Sequence, residues 1–245
     1  MSSGESISDV LEECWRRWGT RSLRLGKRTG RWPDVLTTGQ QALDDALGGG
    51  LPCGAISEII GVPTSGASTL AFTIIANTQR RRRAAAVIDI AGTFDADYAA
   101  SCGIALADLP IGRPRDADQA FLMLAGLIDA GASLIMVDSI IGLGGGLGRI
   151  MPSRAVAQLL RRLRGTGGAI MALTSLSTGR DAHTPAGRDA LGRAAELRLH
   201  VVAQHWRFGD ACTAICQSRI ATWRRGRATG SVDLPITLPL LEIAR

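Results

Sequence analysis

Four short apolar runs, separated by segments of helical pattern, are the feature of this chain that most restricts its fold. The runs are AISEIIG (55–61), AAAVIDI (84–90), ASLIMVDSI (132–140) and AIMALTSL (169–176). Continuous apolar runs of this length are typical of strands that are buried on both faces of a parallel sheet. The intervening segments 68–79, 117–130 and 153–164 have the apolar spacing of crossover helices. We therefore predict an α/β fold with a mainly parallel sheet flanked by helices.

The composition fits a core of this kind. Hydrophobic residues make up 46% of the 245 residues but aromatics only 4%, so Ala, Leu, Ile and Val must fill the core. After Leu191 the pattern changes to β, in the segments ELRLHVVAQ, ACTAICQSRIATW and SVDLPITLPLLEI. These segments predict two or three closing strands at the C-terminus, which we expect to be antiparallel.

A short amphipathic helix is predicted at the N-terminus. Its apolar residues recur at helical spacing, while Glu12, Glu13, Arg16 and Arg17 fill the opposite face. The apolar stripe consists of Ile7, Val10, Leu11, Cys14, Trp15 and Trp18. Because a basic connector follows from Gly19, we divide the chain into an N-terminal helix and connector (1–33) and a core domain (34–245). The stripe either docks a partner or covers the protein's own core, and both interpretations stay open.

The charge balance favours an acidic or polyanionic partner, nucleic acid first. The net charge is +6 and the pI is about 9.7, and Lys27 is the only lysine beside 27 arginines. Five cysteines at scattered spacings do not suggest a disulfide framework, and no metal site is expected. No run approaches the roughly 20 apolar residues of a membrane helix. We expect a cytoplasmic protein without a membrane partner.

The first apolar run leads into a glycine-framed loop and then a helix, which is the arrangement of a phosphate-binding P-loop. The loop reads Gly61-Val-Pro-Thr-Ser-Gly66-Ala67-Ser68-Thr69. In such loops, backbone N–H groups and the helix N-terminus meet the phosphates. The apolar strand that ends in Asp138 has the pattern of the second half of the site, which holds Mg²⁺ through water. The loop departs from the pattern at Ala67, where a lysine neutralises the phosphates.

Three segments resemble bacterial RecA recombinases, and the resemblance extends over nearly the whole chain. Residues 37–61 (TTGQQALDDALGGGLPCGAISEIIG) resemble the RecA stretch that enters its P-loop. Residues 18–26 (WGTRSLRLG) resemble the connector after its N-terminal helix, and residues 137–143 (VDSIIGL) resemble its Mg²⁺ strand. The resemblance implies a RecA-like core, without a counterpart of the additional C-terminal domain of RecA.

The chain departs from RecA at the positions that the resemblance assigns to catalysis. The P-loop lysine is replaced by Ala67, the catalytic acid by Ala91, and the glutamine that senses the γ-phosphate by Ser175. Two lysines that reach a neighbour's ATP correspond to Gln217 and Arg219. Losing the cation and the general base removes terms that are each typically worth on the order of 10²-fold or more in rate. We expect a protein that is not an enzyme, with Gly61, Gly66, Ser68, Thr69 and Asp138 as a vestigial site; weak ATP and Mg²⁺ binding stays open.

Single-stranded DNA is a candidate ligand of two loops. In RecA, loops at the carboxyl ends of adjacent strands contact DNA, and their counterparts here are 142–151 with Arg149 and 178–187 with Arg180. Residues 80–83 are four consecutive arginines and are a weaker candidate. The stronger basic cluster follows Trp223 and contains Arg224, Arg225 and Arg227. Ordinary solvated loops, or a hairpin tip at Trp223, are the alternative interpretations.

Degenerate sites in a RecA-like chain of this size resemble the ImuA accessory proteins of bacterial mutagenesis cassettes. That resemblance implies a non-catalytic adaptor in the DNA damage (SOS) response and translesion mutagenesis, associated with the nucleoid. The implied partners are RecA, an ImuB-type polymerase-related protein or an error-prone polymerase, and the chain itself. Two alternatives stay open, namely an ATP-dependent recombinase that uses Arg219 in place of the lysine, and an inhibitor similar to the SulA cell-division regulators.

Overall fold

The computed structural model describes residues 13, 16, 17, 34–138, 151–176, 190–208 and 213–239. The chain divides into two compact units, Met1–Arg31 and Trp32–Arg245. In the first unit Glu13, Arg16 and Arg17 are helical and exposed, and Arg16 forms an ion pair with Glu13. The predicted docking residues lie outside the described residues; they are Ile7, Val10, Leu11, Cys14, Trp15 and Trp18.

The second unit is built around one eight-stranded sheet with the order β10-β9-β8-β3-β7-β6-β4-β5. Its strands are β3 (Ile56–Gly61), β4 (Ala85–Asp89), β5 (Ile111–Gly112), β6 (Leu134–Asp138), β7 (Ala169–Ser175), β8 (Leu197–Phe208), β9 (Thr213–Arg224) and β10 (Arg227–Pro239). A separate antiparallel pair joins β1 (Val35–Leu36) to β2 (Leu51–Pro52). The described helices are α1 (Gln41–Leu47), α2 (Ala67–Arg80), α3 (Ala96–Ser101), α4 (Ala117–Asp129), α5 (Ser153–Leu163), α6 (Ala190–Arg193) and a 3₁₀ turn (Leu106–Asp108).

The predicted parallel sheet is confirmed, because strands β3 to β8 pair only in parallel with one another. The closing strands form the antiparallel pairs expected, β8 with β9 and β9 with β10. On its other side β8 also pairs with β3, and this pair is parallel. The reason is that β8 begins beside the start of β3, with Leu197 opposite Ser57, so both strands run in the same direction.

Helices cover both faces of the sheet, and β3 supplies apolar side chains to both. Ile59 belongs to the core on one face, together with residues of α1 and α2 such as Leu43 and Leu70. Ile56 belongs to the core on the other face, together with residues of α4 and α5 such as Leu124. Every residue of β3, β4 and β6 is buried, as expected for strands with helices on both sides.

Candidate phosphate-binding site

The glycine-framed loop lies between β3 and α2, at the carboxyl edge of the parallel strands. Thr64 has a φ of 68° and Gly66 a φ of 89°, so the loop makes two left-handed turns before α2 begins at Ala67. Gly66 is the N-cap of α2, and no side chain caps the helix there. Backbone N–H groups at an uncapped helix start, after left-handed residues, form the kind of nest that binds anions. The predicted strand, loop and helix are therefore brought together in the expected order.

The loop is closely packed from within the protein. A Cβ at Gly61 would lie 2.3 Å from Ser65 Oγ and 2.7 Å from the Ala67 Cβ. A Cβ at Gly66 would lie 2.9 Å from Ile236 Cδ1, on β10. Close approach to the Ala67 Cβ therefore requires glycine at position 61, and the positive φ is the main reason for glycine at position 66.

Strand β9 also holds the loop, through Ser218. The hydroxyl of Ser218 donates a hydrogen bond of 2.9 Å to the carbonyl of Ser65, and both residues are fully buried. The N–H of Ser65 donates to the carbonyl of Val62 at 3.1 Å, while its own hydroxyl is buried without a partner among the described residues. Contacts inside the protein therefore maintain the shape of the loop.

The three residues that open α2 face different environments. Ala67, which the sequence pattern matches to the P-loop lysine, is 7% exposed and belongs to the hydrophobic core. Ser68 is exposed, whereas Thr69 is buried and its hydroxyl is hydrogen bonded to that of Tyr98 at 2.7 Å. Of the two hydroxyls that follow Ala67, only that of Ser68 is exposed to solvent.

Two carboxylates lie side by side at the ends of neighbouring strands. Asp89 ends β4 and Asp138 ends β6, and they are opposite each other in the strand register. Asp89 accepts hydrogen bonds from the N–H of Thr93 at 3.0 Å and from Nε of Arg113 at 2.8 Å. Burial, and then the charge of Asp89, raise the pKa of Asp138 to about 6. Asp138 is therefore only partly ionised near that pH.

Some of the other residues matched to RecA lie close to this edge of the sheet. Ser175 ends β7 opposite Gly61, so it is next to the start of the loop, and Ala91 is half-buried two residues after β4. Arg219 forms a bidentate ion pair with Asp233 of β10, with distances of 2.8 and 3.0 Å. Gln217, two residues before it on β9, is half-buried.

The remaining candidate DNA residues are only partly described. Arg149 and Arg180 lie outside the described residues. The Trp223 cluster is the tip of the β9–β10 hairpin, where Arg225 and Gly226 both have positive φ. Its basic residues have different surroundings: Arg224 donates to the carbonyl of Leu47 at 2.8 Å, Arg225 is paired with Glu196, and Arg227 is exposed.

The sheet contains a buried charged cluster that the sequence did not predict. Glu58 of β3 is fully buried and accepts hydrogen bonds from Nε of Arg198 on β8 and from the hydroxyl of Thr174 on β7, each at 2.9 Å. The sequence signal that could have predicted this cluster is Glu58 itself, because a charged residue in the middle of the apolar run ISEIIG needs a buried partner. Among the described residues, no group of His, Cys, Asp and Glu side chains is arranged to hold a metal ion.

A parallel sheet that carries a glycine-framed loop after β3 and an aspartate at the end of β6, two strands away, defines an α/β protein of the P-loop class. The model of the RecA N-terminal domain matches residues 5–147. This match spans more than half of the chain, so the protein belongs to the RecA family.

Individual relatives agree with the family match. The chain is 35% identical over 174 residues to the protein RecA of Chloroflexus aggregans, which covers 66% of this chain and 50% of that protein. It is 38% identical over 145 residues to the protein RecA of Thermus thermophilus, covering 58% of this chain and 43% of the relative. The chain thus spans half the length or less of these curated relatives. None of the described helices has the length and apolar character needed to cross a membrane.

Proposed function

We propose that this RecA-family chain is a non-catalytic adaptor in the DNA damage response and translesion mutagenesis, similar to the ImuA accessory proteins. The observation that carries the proposal is Ala67: a methyl group in the hydrophobic core occupies the position of the phosphate-binding cation. Ser218 holds the loop around it by a hydrogen bond to the carbonyl of Ser65, and Ile236 packs against Gly66. A P-loop of this form serves the fold.

The residues present fit Mg²⁺ and ATP only in part. The backbone nest, the exposed hydroxyl of Ser68 and the carboxylate of Asp138 would meet phosphates and metal. In the described loop, however, no side chain supplies a positive charge to stabilise the negative charge that develops in phosphoryl transfer. Ala91 has no proton-accepting group. This supports weak nucleotide binding at most, and we derive no hydrolysis step.

Arg219 offers poor support for the alternative of an active recombinase. Nε and Nη2 of its guanidinium both donate hydrogen bonds to the carboxylate of Asp233 in the same chain. Transfer of Arg219 to a neighbour's nucleotide would first have to break this bidentate ion pair. The adaptor hypothesis therefore accounts for more of the observed contacts.

The first test is ATP hydrolysis with single-stranded DNA, measured with radiolabelled ATP on the full chain. The matched control is Asp138→Ala, and an active RecA serves as the positive control. We expect the same background rate for the wild-type chain and the Asp138→Ala variant. DNA-stimulated turnover comparable to that of RecA and abolished in Asp138→Ala would overturn the proposal in favour of a recombinase.

The second test concerns partners and uses the tagged full chain in a pull-down from cells with damaged DNA. We expect RecA, an ImuB-type protein or an error-prone polymerase to be retained, and the interaction to be reproduced with the purified partner. Retention of a cell-division protein instead, with none of these, would support the SulA-like alternative and contradict the adaptor role.

A further inference from the structure

Three arginine-rich segments meet at the amino-terminal edge of the parallel sheet, which is the edge opposite the glycine-framed loop. Residues 80–83 end α2 and lead into β4, and residues 161–164 end α5 and lead towards β7. Residues 224–227 form the turn between β9 and β10, and Arg224 is opposite Leu197 at the start of β8. The strand register places all three segments at one edge, because β3, β4, β6, β7 and β8 all begin there. We call these three segments the basic edge.

Contacts through the β1–β2 region connect the segments. Arg224 donates to the carbonyl of Leu47, at the end of α1. Gly54, which follows β2, lies close to the end of α5, because a Cβ at Gly54 would be 3.3 Å from the Cα of Arg164. Burial raises the pKa of the neighbouring Cys53 thiol; the positive charge of Arg83 opposes this rise and the negative charge of Asp34 adds to it, so both charges are close to the same turn. All three segments of the basic edge therefore lie beside the region from Leu47 to Gly54.

Most of the charge on the basic edge is not neutralised within the described part of the chain. Arg162 pairs with Asp129, and Arg225 pairs with Glu196. The exposed arginines of the basic edge with no carboxylate partner among the described residues are Arg80, Arg81, Arg82, Arg83, Arg161, Arg164 and Arg227. The described segments of the opposite edge instead carry several acids, at Asp95, Asp97, Asp116 and Asp118. The same segments also carry Arg113 and Arg115, so acids and arginines are mixed there, in contrast to the basic edge.

We propose that the basic edge binds the phosphate backbone of duplex DNA. Seven exposed arginines along one edge, without a carboxylate partner among the described residues, match the high and regular charge density of a duplex, which carries one negative charge per roughly 1.7 Å. Among the described residues of the basic edge the aromatic side chain is Trp223, which is half-buried and packs against His200 with ring centroids 4.4 Å apart. Contacts to phosphates without stacking favour sequence-independent binding of a duplex over single strands. This surface is separate from the loops that contain Arg149 and Arg180.

The test is fluorescence anisotropy of the full chain with a short labelled duplex over a series of salt concentrations. The variant is Arg81→Glu/Arg83→Glu/Arg164→Glu, and the matched control is Arg115→Glu/Arg154→Glu/Arg207→Glu, three equally exposed arginines away from the basic edge. We expect the first variant to weaken duplex binding by about tenfold or more and to flatten the slope of log K against log salt by about one unit per lost contact. The control should bind nearly as the wild type does, and circular dichroism should show both folded.

Three outcomes would overturn the proposal. They are equal weakening by both triple variants, no weakening by the first, or tighter binding of a single strand of the same length than of the duplex. Loss of duplex binding in Arg149→Ala/Arg180→Ala, with the basic-edge variant unaffected, would assign binding to the loops instead. None of these measurements involves ATP or a protein partner, so this proposal and the adaptor function can fail independently.

Discussion

At the scale of single residues, small side chains stand at positions where the resemblance to RecA implies functional ones. Ala67 contributes a methyl group to the core, Ala91 follows β4, and Ser175 is beside Gly61. The carboxylate of Asp138, in contrast, is retained in a buried place next to Asp89. No cation from the glycine-framed loop compensates the two acids, so Asp138 is a source of instability whenever it is ionised.

This arrangement predicts a pH-dependent effect of Asp138→Asn. The folded protein holds the proton of Asp138 up to about pH 6, whereas the unfolded chain releases it near 3.8, so wild-type stability falls as pH rises through that window. Across this pH window, we expect the free energy of unfolding of Asp138→Asn to rise by on the order of 2 kcal/mol relative to that of the wild type. The variant should keep this difference above the window. Thermal unfolding by circular dichroism between pH 4 and pH 8 measures the difference.

Asp233→Asn is the control with the opposite sign. Its hydrogen bond from Arg219, and then the charge of Arg219, lower the pKa of Asp233, so this carboxylate stabilises the fold above pH 3.8 and loses that effect as pH falls through its lowered pKa. We expect Asp233→Asn to be the less stable protein at neutral pH, with the difference vanishing in acid. A pH-independent difference for Asp138→Asn would contradict the account of the carboxylate pair.

At the scale of elements, β3 connects the glycine-framed loop to the rest of the sheet through polar as well as apolar contacts. Glu58 joins β3 to Thr174 on β7 and to Arg198 on β8, and Arg198 also donates to the carbonyl of Gly192 on α6. A buried ion pair is costly to break because the remaining charge has no water to solvate it. The cluster fixes β8 beside β3, where the parallel part of the sheet meets the closing hairpin.

Arg198→Met should therefore destabilise the core unit strongly. Glu58 is fully buried and Arg198 has a side chain that is 19% exposed, so the substitution removes the guanidinium that Arg198 provides to a buried carboxylate. We expect a loss of about 3 kcal/mol or more, measured by urea denaturation. The double variant Glu58→Gln/Arg198→Met should be less destabilised than Arg198→Met alone.

The control for this prediction lies on the same strand. Arg207 is exposed near the other end of β8, and Arg207→Met should change the stability by no more than about 0.5 kcal/mol. Equal losses for Arg198→Met and Arg207→Met would show that the buried cluster has no special part in holding β3 and β8 together.

At the scale of the whole molecule, the fold separates two surfaces of different character. The carboxyl edge of the sheet carries the glycine-framed loop and the aspartate pair, and the amino edge carries the exposed arginines of the basic edge. The proposed adaptor role requires separate surfaces for different ligands, and the two edges are separate surfaces of this kind. The N-terminal unit adds a further proposed surface, the apolar stripe that contains Trp15 and Trp18.

Deletion of residues 1–18 tests that stripe. We expect the shortened protein to remain folded by circular dichroism and to lose association with RecA and with itself in sedimentation, because a large aromatic anchor typically contributes about 2 kcal/mol or more to an interface. Trp15→Ala in the full chain is the companion variant. If the helix covers its own core, Trp15→Ala should lower the melting temperature and binding should follow the folded fraction. Association that persists after the deletion would exclude the helix as a docking element.

The sequence by itself determined the class of the fold and the place of the glycine-framed loop. Both are local patterns: apolar runs such as ISEIIG read as buried strands, and Gly61 and Gly66 frame a loop whose backbone few other residues could adopt. The tertiary structure decided which distant residues meet. The partners of Glu58, the hydrogen bond from Ser218 to Ser65, and the direction of β8 depend on strand order and register, which chain neighbours do not encode.

The same distinction explains the basic edge. Residues 80–83 and the Trp223 cluster were visible as separate basic segments, since charge runs are a local property. Residues 161–164 give no such signal, because each of their arginines has the pattern of an ordinary exposed helix residue. Only the common starting edge of the parallel strands brings the three segments together, and a charged surface depends on that proximity because screened charges act over about 10 Å.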